Sequence, residues 1–205
     1  FVGPQVNALL AANGLTGVTG GRYFTNAIDT RTHGVDVVVN YALDLKGAGF
    51  VRLMGGYNGT SNEVTRVTLT PPELSQNQEA LFGRVERGRI EVGQPKDNVL
   101  TSIDWSKKSL NVLLRNQRFG QVISRGTLVN GTLDNTYSPK WISDVSVGWQ
   151  TPWKVKLTVG ADNVLDTYPD QSIAGTDNNG IFPYGGFTPF GYNGRFIYSR
   201  LNYTW

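Results

Sequence analysis

The 205 residues contain no cysteine, so disulfides and thiolate metal sites are excluded. Histidine occurs once, at His33, and methionine once, at Met54. A single imidazole with no carboxylate cluster beside it is a poor start for a metal site, and a poor base for a nucleophile. The spacing of Asp170, Asp177, Asn178 and Asn179 matches no calcium loop. No Ser/His/Asp arrangement, paired-carboxylate site or phosphate-cradling glycine loop is present. The chain is therefore not expected to be an enzyme, and no cofactor and no metal are expected. No apolar run approaches the roughly 20 residues of a membrane-spanning helix. That excludes a helical membrane protein but not a β-barrel, whose strands alternate. No signal peptide is visible, and the chain opens on Phe1, which points to a processed chain or a fragment. The net charge is only +3, with Lys and Arg scattered along the sequence, so no nucleic-acid partner is expected.

What is abundant points to β-structure. Glycine occurs 25 times, tyrosine nine times and tryptophan five times, while only 39% of the residues are hydrophobic. This suits strands joined by polar loops better than a thick soluble core. One short helix is expected at Val6–Ala12, ended by Asn13-Gly14, and residues 1–20 otherwise read as loop. Alternation then takes over. From residue 21 to 45 the apolar positions are Val35, Val37, Val39, Tyr41, Leu43 and Leu45, opposite Asp36, Asn40 and Asp44. After "KGAG", Val51, Leu53 and Tyr57 face one way and Arg52, Gly56 and Asn58 the other. Residues 61–97, with Pro71-Pro72, read as a long connection.

A strand at 99–106 sets Ile103 and Trp105 opposite Ser102, Asp104 and Ser106. The next, at 109–124, sets Leu110, Val112 and Leu114 opposite Asn111, Arg115 and Gln117, with Leu113 breaking the polar side. Residues 125–140 read as loop. The clearest strands follow at 141–150 and 153–163, carrying Trp141, Val145, Val147 and Trp149, then Trp153, Val155, Leu157 and Val159. A long loop, 166–194, leads to the terminal strand, with Ile197, Leu201, Tyr203 and Trp205 in one register and Arg200, Asn202 and Thr204 in the other.

Seven strands are expected, or eight if 21–28 form one of their own. Their connections alternate short and long, which places all the long loops at one end. Up-and-down outer-membrane barrels have this pattern, with short periplasmic turns and long extracellular loops. Trp141 and Trp149 lie eight residues apart on one face, about 20 Å along a membrane normal at the usual strand rise and tilt. Trp105, Trp149, Trp153 and Trp205 mark the periplasmic interface, and Trp141 and Tyr203 are further membrane-interface residues, where amphipathic rings sit well. The fold class is all-β, an antiparallel up-and-down transmembrane sheet. Two alternatives stay open: a small closed barrel of eight strands with a structural or adhesive role, and a soluble β-sandwich binding module. The sandwich has no reason to keep its long loops at one end.

Three segments, "YFTNAIDTRTHGVDVVVNYAL", "GADNVLDTYPD" and the terminal "GRFIYSRLNYTW", resemble the C-terminal barrel of TonB-dependent outer-membrane receptors. In that family a "TRTxGVD"-like motif opens a late strand. A motif like "xDNxxDxxYP", one residue shorter here, ends the penultimate strand, and a terminal aromatic closes the barrel. The resemblance spans nearly the whole chain. It implies a 22-stranded barrel of which these are the last seven or eight strands, with the N-terminal plug domain absent. It further implies the outer membrane of a Gram-negative bacterium and uptake of a scarce nutrient such as a ferric siderophore. The implied partners are the lipid bilayer, the rest of the barrel and plug, the TonB complex acting through the missing part, and the assembly machinery at the last strand. A small-molecule ligand, in the form of a metal chelate, would be the cargo.

On that resemblance the candidate binding loop is 166–194, with Tyr168, Phe182, Tyr184, Phe187, Phe190 and Tyr192 interleaved with glycine. Arg52 and Arg115 on the wet side would steer an anionic substrate. The competing readings are a loop packed on itself and arginines paired with neighbouring carboxylates.

Overall fold

The computed structural model describes residues 4–18, 20, 26–68, 82–173 and 181–204. Trp205, Pro71-Pro72, Asp177, Asn178, Asn179 and residues 21–25 of the first expected strand lie outside the described residues. Helix α1 spans Pro4–Ala12. It ends where expected: the Asn13 side chain donates to Leu9 O at 2.8 Å, and Gly14 takes a positive φ of 76°. A left-handed residue there is the ordinary way to stop a helix.

The rest is built on one antiparallel meander. Strands β1 (Ile28–Asp44), β2 (Phe50–Val67), β3 (Asp97–Lys107) and β4 (Leu110–Phe119) are followed by a small pair, β5 (Val122–Ser124) with β6 (Asn135–Tyr137). Then come β7 (Lys140–Gln150), β8 (Val155–Asp162) and β9 (Phe196–Tyr203). The main sheet has seven strands in the order β1-β2-β3-β4-β7-β8-β9. It is open, with β1 and β9 at its edges. The turns 45–49, 108–109 and 151–154 lie at one end, and the connections 68–96, 120–139 and 163–195 at the other.

Pairing register carries the sequence alternation across the sheet. Leu43, Val51, Trp105, Val112, Val147 and Val159 are successive cross-strand partners in one row. Tyr41, Leu53, Ile103, Leu114, Val145, Ala161 and Ile197 form the next. The opposite face holds Ala42, Arg52, Asp104, Leu113, Ser146, Gly160 and Tyr198. Leu113 therefore does sit on the polar side. Polar residues interrupt the apolar face at several positions, among them the row Thr101, Asn116 and Ser143, where Ser143 Oγ donates to Asn116 Oδ1 at 2.6 Å.

Nothing among the described residues covers the apolar face. Val37, Val39, Tyr41, Ile103, Val147, Val159 and Leu201 are all exposed. The buried hydrophobic residues described are Val6, Val64, Val122 and Tyr137, and none of them belongs to those apolar rows. A β-sandwich would place a second sheet over such a face. A sheet with an exposed apolar face and a polar opposite face matches a wall between lipid and water.

Four expectations need correction. Residues 61–67 are not part of a loop: β2 runs on to Val67, paired with β1 as far as Ile28. There polar side chains stand on both faces and only Val64 and Val67 are apolar, so no hydrophobic period marks the strand. Ladder hydrogen bonds and the pairs Thr32–Asn62 and Asp29–Arg66 hold it instead. The connection after it contains a helix, α2 (Arg84–Glu91). The strand 109–124 breaks at Gly120, whose N–H donates to Asp97 O at 2.8 Å. A Cβ there would lie 2.5 Å from that oxygen, so only glycine permits the approach. Finally, Trp153 and Lys154 belong to the turn before β8, not to the strand.

Candidate functional site

The long-loop end is where chemistry-bearing side chains converge. The turn leaving β8 is built by Asn163. Its φ is 51°, and its side chain donates to Thr167 O and accepts from Thr167 N–H, at 2.8 and 2.9 Å. Its own N–H donates to Asp144 Oδ1 at 2.8 Å. Asp166, also at positive φ, accepts from Arg195 N–H at 2.8 Å, which ties the two ends of the loop together. The "DNVLD" stretch is thus a clamp for the loop's base.

Above that clamp lies a tier of rings. Tyr168 and Tyr184 stack with centroids 6.0 Å apart, Tyr184 and Tyr192 at 5.5 Å, and Phe182 tilts against Tyr192 at 6.1 Å. Such pairs contribute about 0.5–1.5 kcal/mol each beyond area burial. Gly194, at φ 71°, passes directly against the Tyr168 hydroxyl, where a Cβ has no room. The negative charge of Asp166, followed by burial and a hydrogen bond to the same carboxylate, pushes the Tyr168 hydroxyl above its usual pKa. Tyr168, Phe182 and Tyr192 remain exposed.

The other two loop aromatics serve different neighbours. Phe190 packs on Phe119 of β4 at 5.5 Å. Phe187 lies under the Arg89 guanidinium of α2, 5.2 Å from ring centroid to Cζ. The loop is further tied down by Asn135, whose Oδ1 accepts from Ile173 N–H at 2.6 Å, and by a Tyr137–Ser172 hydroxyl contact at 3.2 Å. Asp170 accepts from Ser138 N–H and pairs with Lys140 at 2.7 Å. Burial raises the Asp170 carboxyl, but the Lys140 and Ser138 hydrogen bonds outweigh it and leave the pKa low.

An ion-pair network that the sequence reading did not anticipate joins the two other loops. Arg84 holds both oxygens of Asp134 at 2.7 and 2.6 Å and also donates to Gly126 O. Hydrogen bonding to Arg84 holds the Asp134 carboxyl below its usual range. Glu91 pairs with Arg87 at 2.9 Å and with Arg125 at 3.6 Å, and accepts from Val64 N–H. Desolvation pushes Glu91 up, but those hydrogen bonds and charges leave it depressed. The partners are 27 to 50 residues apart in sequence for every contact but the Arg87–Glu91 pair, so no local pattern announces them.

Arg115 and Arg52 stand apart from the rings. Arg115 pairs with Asp144 on the polar face at 2.6 Å. Arg52 lies nearer the short turns, over the Phe50 ring at 5.7 Å, beside a shallow cavity of about 380 Å³ lined by Asn40, Met54, Ser102, Asp104 and Leu113. The structure therefore brings Tyr168, Phe182, Tyr184 and Tyr192 together and leaves Arg52 and Arg115 elsewhere. Of the interface aromatics, Trp105, Trp149, Trp153 and Tyr203 lie toward the short turns and Trp141 toward the long loops. Among the described residues no group of three His, Cys, Asp or Glu side chains could hold a metal. No helix among them is long and apolar enough to cross a membrane, which says nothing about strands.

The two-faced wall with one-sided loops has the fold of part of an outer-membrane receptor. Three solved structures share it: the FpvAI–pyocin S2 complex (TM-score 0.53), the ferripyoverdine receptor of the outer membrane of Pseudomonas aeruginosa bound to ferripyoverdine (0.52), and P. aeruginosa FpvA bound to heterologous pyoverdines (0.51). Each is 14% identical and matches 85% of this chain. The chain spans only 19–20% of their length. No protein-family model and no curated protein sequence matches the chain.

Proposed function

We propose that residues 1–205 form the C-terminal part of the barrel wall of a TonB-dependent outer-membrane transporter, most of whose barrel, with its plug, lies outside this sequence. The observation that carries the reading is the uncovered apolar face combined with long loops at one end only. In this reading the apolar face meets the lipid of a Gram-negative outer membrane and the polar face meets the lumen of a 22-stranded barrel. The short turns face the periplasm, and residues 1–20 belong to an extracellular loop. The assembly machinery engages the last strand, and energy comes from TonB through the part of the protein not in this sequence.

The cargo is an organic chelate, a ferric siderophore being the leading class. The exposed rings of Tyr168, Phe182 and Tyr192, with the half-buried Tyr184 between them, offer it a stacking surface. Arg52 and Arg115 lie on the lumen path, where they would act on an anionic cargo by field rather than by contact. The test is binding of a panel of labelled ferric siderophores to the whole receptor in outer-membrane vesicles. Replacing both Tyr184 and Tyr192 with alanine is expected to weaken binding of the recognised chelate about tenfold, the loss of one to two stacking contacts. Unchanged affinity for every chelate that the parent binds would overturn the assignment of the loop.

A further inference from the structure

The lysines that look scattered along the sequence gather at one end of the fold. The three short turns carry Lys46, Lys108 and Lys154 and no Asp or Glu, and the strand ends that border them add Lys107 and Asp44. All four lysines are exposed. The turns sit two strands apart along the sheet or further, so lysines of different turns are at least about 10 Å apart, while Lys107 and Lys108 adjoin.

Each turn places a lysine in the left-handed region: Lys46 at φ 53°, Lys108 at φ 52° and Lys154 at φ 59°. Glycine or asparagine fits that conformation with less strain. Three turns of independent sequence all accept the strain for a lysine. The opposite end of the sheet treats its cations differently. The described ion pairs all lie at the level of Arg115–Asp144 or further toward the long loops, and none involves these four lysines. Toward this end Asp44 accepts the Lys46 backbone N–H and Asp104 accepts the Asn111 side chain, and neither is among the described ion pairs.

The lysines share their level with exposed rings. Lys107 is the cross-strand partner of Leu110, which pairs with Trp149 on the apolar face. Trp153 is 74% exposed in the third turn. Trp105 Nε1–H donates to Ala48 O at 3.0 Å, which pins the Lys46 turn to β3. Unpaired ammonium groups beside indoles on a lipid-facing wall match one environment, a layer of phosphate headgroups.

We infer that the three short turns form a lysine belt that binds anionic phospholipid headgroups of the leaflet they face. The inference rests on the proposed orientation, with these turns in the periplasm. The test uses the whole receptor, with native mass spectrometry counting lipids retained from nanodiscs of phosphatidylcholine mixed with phosphatidylglycerol. The parent is expected to enrich phosphatidylglycerol. The variant K46N/K108N/K154N, whose asparagines suit the left-handed backbone, is expected to lose that enrichment by about fivefold for each lysine removed. Equal retention of both lipids by the parent, or full enrichment by the variant, would overturn the belt. Loss of an acidic periplasmic protein from the variant, with lipid enrichment unchanged, would overturn it too. Orientation is read separately from a single cysteine, Gly47→Cys, labelled with an impermeant maleimide on intact cells. Labelling from outside would overturn the orientation. Protection without lipid preference would overturn the belt alone.

Discussion

At the scale of single residues, Asn163 does the most specific work. Its left-handed backbone and its two hydrogen bonds to Thr167 make the turn from which the aromatic loop rises. Asn163→Ala removes both bonds and strains the backbone, and is expected to cost the loop base about 1–3 kcal/mol. Asn163→Gly loses the bonds but keeps the conformation, so it should be milder. The rate of protease nicking within 166–194 checks both: alanine should nick fastest and asparagine slowest. Asn163 was legible as a motif position, but its mechanical role was not, because Asp144 reaches it from a strand 19 residues away. Tyr168 shows the same limit. Its place in an aromatic-rich loop is plain in the sequence, yet only the fold brings it against Tyr184 and Gly194.

At the scale of elements, β7 is the sharpest test of two-sidedness. Val145 lies on the apolar face, midway between Trp141 and Trp149, and Ser146 on the polar one. Val145→Arg is expected to destabilise the folded wall by about 2–4 kcal/mol, the cost of a cation at the bilayer midplane. Ser146→Arg should cost far less. The folded fraction in a urea titration in detergent-free lipid vesicles separates them. Strands such as β7 were readable because lipid on one side and water on the other impose a strict period of two. The upper part of β2 was not readable, since residues 61–67 rise to the region of Thr32–Asn62 and Asp29–Arg66, where polar residues stand on both faces and Val64 and Val67 keep no period of two. Helix α2 was missed for a related reason: only Gly88 of its eight residues is buried, so it has no apolar stripe.

The α2 network also gives a pH prediction. Asp134 and Glu91 are held below their usual carboxylate range by Arg84, and by Arg87, Val64 N–H and Arg125. A depressed folded pKa means that their contribution to stability is present above the unfolded value of about 4. It is lost as pH falls through the lower folded values. Protease sensitivity of 82–96 and 120–139 is therefore expected to be flat from neutral pH down to about 5 and to rise below about 4. Arg84→Lys, which gives up the two-pronged grip on Asp134, should move the rise to higher pH.

For the whole molecule, the arrangement follows from an apolar face that none of the described residues covers. Loop placement and face assignment could both be read in advance, because they depend on local alternation and on connection length. The contacts that join the loops could not. Arg84 to Asp134, Phe190 to Phe119 and Arg89 to Phe187 cross long stretches of chain between segments with no period. The most direct check of the lipid-facing wall is a nitroxide scan of positions 141–150 in the membrane-embedded receptor, starting from a background that has no cysteine in this region. Oxygen, which dissolves in lipid, should collide most with labels at 143, 145, 147 and 149, and a polar nickel chelate with those at 144, 146, 148 and 150. Oxygen and nickel accessibility that rise and fall together along β7, or the reverse alternation, would contradict a wall with lipid on its Trp141–Trp149 face.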